Sequence, residues 1–169
     1  MAADAKLDMT SATSQVCQTA QNRTLCSSWV LGGPLNSTAK SYSSEPVRYP
    51  ALQVIDLAAE GAAITDSYRN IVINRVNGSC LRLSVMREGY RWHYHPKSDE
   101  LFLVVDGCLE IDLADGRILR LTAWQCATLP AGMVHRTRPV GGRSVNLCFE
   151  ELAAETVFVD SAEAPSEKE

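Results

Sequence analysis

The chain has three histidines, and their spacing is the part of the sequence best suited to chemistry. His93 and His95 stand two apart in Tyr90-Arg91-Trp92-His93-Tyr94-His95-Pro96, Glu100 follows, and His135 comes just after Pro130-Ala131-Gly132. On a strand successive side chains alternate faces, so His93 and His95 share one face while Trp92 and Tyr94 share the other. Residues 96–99 read as a short connection that returns the chain antiparallel and sets Glu100 beside the histidines. His135 has to arrive from a more distant strand, aimed by the turn at residues 130–132. Three imidazole nitrogens and one carboxylate suit Mn²⁺, Fe²⁺, Ni²⁺, Cu²⁺ or Zn²⁺ rather than Ca²⁺ or Mg²⁺, which prefer oxygen alone. On an octahedral ion, these four ligands leave two positions for water, substrate or dioxygen.

The elements that must position this set are short. Between residues 47 and 160 run apolar or alternating stretches at 52–58, 71–76, 80–86, 91–95, 100–105, 108–113, 117–121, 126–129, 134–138, 144–150 and 156–159, most of strand length. Asp115-Gly116 is a hairpin signal, because glycine tolerates the positive φ of a tight turn. Asp106-Gly107 reads as a second tight corner and Pro130-Ala131-Gly132 as a third. No stretch in this region holds a long 3.6-residue period. The expectation is therefore an all-β domain, a barrel or sandwich without internal repeats.

Outside that region the composition changes. Residues 1–46 are rich in Ser, Thr, Ala, Gln and Asn and read as a flexible arm, within which residues 25–31 form an apolar segment able to add a strand to the domain or to a neighbour. Residues 161–169 read as a disordered acidic tail.

The 169 residues and 46% hydrophobic content suffice for one buried core. The net charge of −4 is mostly local to the C-terminal tail, so no basic face is indicated and nucleic acid is not an expected partner. No apolar run approaches membrane-spanning length, and the start lacks the apolar core of a signal peptide, which places the expected protein in the cytoplasm. Six cysteines without a Cys-x-x-Cys pair read as reduced thiols, mainly small hydrophobes or surface thiols. Asn22, Asn36 and Asn77 head glycosylation-like triplets, which matter only in a secreted chain.

The residues around the histidines resemble the cupin family. The first cupin motif is supplied by His93, His95, Glu100 and Gly107, and the second by Pro130, Gly132 and His135. The resemblance extends over about residues 50–160 and is nearest to small single-domain, conserved-barrel cupins of the mannose-6-phosphate-isomerase-like kind. The segment from Trp92 to Val105 and the stretch Val54-Ile55-Asp56-Leu57 carry it. There are departures: three residues separate Gly89 from His93 where the pattern has five, Trp124 stands where the second motif opens with glycine, and Pro139 where it often ends in asparagine. None removes a ligand. The resemblance implies an antiparallel jelly-roll β-barrel with one metal deep inside. It also implies a homodimer in which a first strand near residues 52–57 crosses to the partner.

Around such a metal, Arg91 shares the strand parity of His93 and is expected to face inward toward an anionic substrate group. Phe102, Val104 and Met133 are expected to wall the pocket with apolar surface. Tyr90, Trp92 and Tyr94 are expected on the outer face. A second protonic group near the metal is not fixed by the sequence, since Glu110, Asp112, Tyr68 and Glu150 have no assigned facing. Two functions are consistent with this reading. One is a metalloenzyme acting on a small polar substrate by isomerase, decarboxylase or lyase chemistry, or as a dioxygenase with iron. The other is a non-catalytic module that binds a small molecule or metal.

Overall fold

The computed structural model describes residues 40–41 and 45–160. The chain divides into Met1–Gly32 and Gly33–Glu169, and every described residue belongs to the second unit. The arm as far as residue 39, with its apolar segment at 25–31, and the acidic tail lie outside the described residues.

Nine strands and one short helix make up the described part: β1 (Lys40–Ser41), α1 (Leu57–Ala63), β2 (Tyr68–Val76), β3 (Ser79–Met86), β4 (His93–Tyr94), β5 (Glu100–Leu113), β6 (Ile118–Thr122), β7 (Cys126–Leu129), β8 (His135–Glu151) and β9 (Glu155–Phe158). All pairings are antiparallel, in the order β1-β9-β4-β8-β3-β2, with β5 pairing β6, β7 and β8. The architecture is the expected antiparallel jelly roll. Its frame is the pair of long strands β5 and β8, which run together from Leu101↔Phe149 to Leu113↔His135.

Each long strand merges two of the runs read from the sequence. Asp106-Gly107 is not a corner but a bulge inside β5, where register shifts let the strand bend and continue. Gly107 takes φ 78° there, and a Cβ on it would lie 2.3 Å from the Arg143 carbonyl oxygen. Only glycine permits that approach. The Asp115-Gly116 hairpin forms as expected, with Leu113 N donating to Arg117 O at 2.9 Å.

Two other expectations fail. Residues 52–58 are not a strand. Asp56 Oδ1 caps Ala59 N at 2.9 Å and starts α1, whose alanines favour helix but whose seven residues are too few to display a period. Residues 96–99 do not form a hairpin either, because β4 pairs with β8 and β9 while Glu100 pairs with Leu129 of β7. The connection crosses between strands that are not neighbours.

Two faces of the sheet carry different chemistry. On one, Ile73, Leu83, Val85, Val145 and Leu147 form a buried cluster covered by Tyr49, Ile55, Leu57 and Ile64 from the helical region. On the other, alternate residues of the same strands point inward: Arg82 and Ser84 from β3, Asn146 and Glu150 from β8, all buried. A separate apolar cluster of Phe102, Val104, Leu109, Ile111, Leu113, Leu121 and Leu129 fills the barrel beyond them.

Candidate metal centre

His93 and His135 face each other as a register pair of β4 and β8, with ring centroids 4.3 Å apart. Glu100 opens β5, and its Oε2 lies 3.1 Å from His95 Nε2 and 3.3 Å from His135 Nε2. One ligand atom from each of His93, His95, Glu100 and His135 falls within 4.8 Å of the others, and all four residues are buried. The turn expected to aim His135 is clamped to the first motif: Gly132 N donates to His95 O at 2.8 Å, and Ala131 N to Asp99 Oδ1 at 2.8 Å.

The orientation of the rings is set by the backbone. His93 Nδ1 lies 2.8 Å from Arg91 O, His95 Nδ1 2.9 Å from Glu155 O and His135 Nδ1 2.9 Å from Met133 O. A carbonyl only accepts, so each Nδ1 carries the hydrogen and each Nε2 is turned toward the cluster. This is the support that metal-ligating imidazoles require. His135 Nε2 is buried and, among the described residues, engaged in no hydrogen bond. An orphaned ring nitrogen beside a carboxylate, within a set of two further imidazoles, fits a transition-metal ion.

Electrostatics agree with that fit. Burial, reinforced by His135, lowers the His93 pKa to about 3, so its ring is neutral. Burial also works against a charged His95, but the hydrogen bond and charge of Glu100 raise its pKa to about 8. Against its own burial, Glu100 is held well below the usual carboxylate range by the His135 and His95 imidazoles. The proton between His95 and Glu100 is the charge that a cation at the centre would replace.

The same cavity is lined by Tyr68, Tyr90, Asn70, Arg82, Asn146 and Glu150 among others. Arg82 Nε sits 2.6 Å from Glu150 Oε1, and Arg82 Nη1 sits 2.7 Å from Glu45. Burial, with the Glu100 charge adding to it, raises Glu150 to about 7. Its Oε2 has no hydrogen-bond partner among the described residues and lies 3.8 Å from His95 Nε2. Burial pushes the Cys148 thiol well up, so it stays a thiol in the wall.

Several expected placements change. Arg91 does not face inward: residues 89–92 precede β4, strand alternation does not reach them, and the exposed guanidinium lies 3.9 Å over the Phe158 ring. For the same reason Tyr90 is not on the outer face. It stacks on Tyr68 at 4.9 Å and meets His93 edge-on at 5.0 Å, inside the cavity. Trp92 lies outside, under Arg136. Phe102 lines the cavity and touches His135 edge-on, whereas Val104 and Met133 belong to the apolar cluster away from the lining. Glu110 and Asp112 are also remote, paired with Arg120, Arg136 and Arg138.

Sequence reasoning passed over Asn70, Arg82, Ser84, Asn146 and Thr156, all on this wall. Their signal was the alternation Leu81-Arg82-Leu83-Ser84 and Val145-Asn146-Leu147. Such a pattern normally marks a solvent face.

The sequence profile of Cupin_2, described as a cupin domain, matches residues 85–148. The uncharacterised protein YdbB of Bacillus subtilis (strain 168) is 43% identical over 105 residues, which span 62% of this chain and 92% of YdbB. The chain belongs to the cupin family. This cupin is also 45% identical over 69 residues to the polyketide synthase CurC of Streptomyces cyaneus, a stretch covering 40% of the chain and 44% of CurC. Among solved structures, protein NMB1881 of Neisseria meningitidis is 28% identical, with a TM-score of 0.54 over 59% of this cupin and 99% of that chain. A conserved protein with a double-stranded β-helix domain from Klebsiella pneumoniae reaches a TM-score of 0.57 at 15% identity, covering 66% of this cupin and 94% of that chain, and shares the fold.

Proposed function

We propose that this cupin is a divalent-transition-metal enzyme acting on a small polar substrate, with His93, His95, Glu100 and His135 as the metal ligands. The observation that carries the reading is one cavity lined by His93, His95 and Glu100 of the cluster, the buried Glu150 carboxylate and the Tyr68 and Tyr90 side chains. The donor set suits Fe, Mn, Zn, Ni or Cu. Bound there, such an ion polarises a substrate oxygen, which serves isomerase, decarboxylase or lyase chemistry, and iron would extend this to dioxygen.

The chain's own groups supply the rest. Arg82 holds Glu150 through Oε1, leaving Oε2 turned toward the cluster to take a proton from a substrate carbon or hydroxyl and to return it. Phe102 covers His135 and keeps water off that side. The reading includes a small-molecule partner and a homodimer, with neither nucleic acid nor membrane. Among the described residues no helix is long and apolar enough to cross a membrane.

The test begins with the metal that copurifies: iron directs oxygen-uptake assays, and zinc, manganese or nickel directs isomerase and lyase screens on sugars and keto acids. Glu150→Gln should keep the metal while lowering kcat by about 10²- to 10⁴-fold. A metal-loaded chain that turns over nothing, or a turnover that ignores this substitution, would make the protein a binding module.

A further inference from the structure

The inward wall is more polar than an apolar barrel needs. Asn70, Ser84 and Asn146 are direct register neighbours on β2, β3 and β8, Asn70↔Ser84 and Ser84↔Asn146, so they form one row across three strands. All three line the cavity, and so does Thr156 of β9. Ser84, Asn146 and Thr156 are buried to 3%, 1% and 2% residual exposure. Asn70 Oδ1, Asn146 Oδ1 and Thr156 Oγ1 are buried atoms that find no hydrogen-bond partner among the described residues. The Asn146 amide nitrogen is turned the other way, toward Met86 Sδ and Ser144 Oγ.

A buried polar atom without a partner costs free energy, and packing alone gives no reason to collect two amide oxygens and a hydroxyl of this kind in one place. Their opposite-face neighbours on the same strands, Leu83, Val145 and Leu147, are ordinary core. The row is therefore built for something other than packing.

The chemistry of what it takes follows from the groups present. The amide oxygens of Asn70 and Asn146 only accept and ask for donors, while the Thr156 hydroxyl can donate or accept; a carboxylate or phosphate would face the two amide oxygens lone pair to lone pair. An ammonium is disfavoured because the buried Arg82 guanidinium lies on the same wall, already answered by Glu150 and Glu45. With those charges matched, the ligand that completes the row without leaving a new buried charge is neutral and carries several hydroxyls.

We infer that the row Asn70, Ser84, Asn146, together with Thr156, is a subsite that reads the hydroxyl groups of a neutral polyol or sugar-like ligand. This deepens the proposed function by naming the substrate class, and it rests on that reading only for where the reaction takes place, since the row contains no metal ligand.

The experiment is a titration of the full chain, metal-loaded and metal-stripped, with three four-carbon probes: erythritol, succinate and 1,4-diaminobutane. Binding is followed by saturation-transfer NMR and metal content is measured on the same samples. Erythritol should bind and the two charged probes should not. Asn70→Leu and Asn146→Leu should each weaken erythritol about tenfold, with metal content unchanged. Each substitution removes an unpartnered amide oxygen together with only long amide-nitrogen contacts of 3.4 to 3.6 Å, so the thermal midpoint without probe should hold or rise. Preference for a charged probe, no erythritol binding, or affinity indifferent to both substitutions would overturn the inference. So would a lowered midpoint in both variants, which would make the row structural. Absence of metal from the unsubstituted chain would instead sink the metal reading and leave the erythritol titration of the stripped protein to judge this one.

Discussion

Each imidazole of the cluster is fixed by a carbonyl that the backbone supplies from residue 91, 133 or 155, so the cluster's geometry does not depend on the metal to assemble it. That separates binding from folding. His135→Ala should lose most of the metal while the far-ultraviolet circular dichroism keeps its β signal, since the apolar cluster behind it is made by other side chains. Loss of both together would mean that the site holds the fold rather than the reverse. The spacing of His93, His95, Glu100 and His135 was legible in the sequence because those residues sit at fixed points of short motifs. The roles of Tyr90 and Arg91 were not, since alternation applies only inside a strand and β4 begins at His93.

At the level of elements, the bulge and the turns bend the frame, and two left-handed residues make opposite predictions. Gly107 cannot accept a side chain without displacing the Arg143 carbonyl, which is backbone and cannot swing aside. Gly107→Ala should therefore cost about 2 to 3 kcal/mol, read as a lower midpoint in urea unfolding. An unchanged midpoint would show that β5 and β8 part there more easily than the geometry allows. Trp124 is the converse case: it takes φ 68° in the turn between β6 and β7, exposed to 77%, where the cupin motif has glycine. Trp124→Gly should raise stability by about 1 kcal/mol by relieving that backbone. A fall would mean that the indole is held by contacts that outweigh the strain. The sequence marked Gly107 as a corner because a glycine after aspartate has the same signature in a turn and in a bulge. Helix α1 escaped notice because seven residues give less than two turns of period.

For the molecule as a whole, the jelly roll was readable from strand-length runs and turn residues, whereas the pairing was not. β4 lies between β8 and β9, far in sequence, and nothing local to residues 96–99 specifies that crossing. The polar lining escaped for a related reason. A strand alternating leucine with arginine and serine does not say which face meets water, and here the leucines meet the helical region while the polar residues enclose the cavity. In the proposed function, the barrel holds a metal beside that polar wall. The most direct test is the metal content of untagged protein purified without chelators, measured by inductively coupled plasma mass spectrometry beside the His93→Ala variant. One transition-metal ion per chain, lost in the variant, is the predicted result. No metal in either, even after reconstitution with iron, manganese, zinc, nickel and copper in turn, would contradict the account.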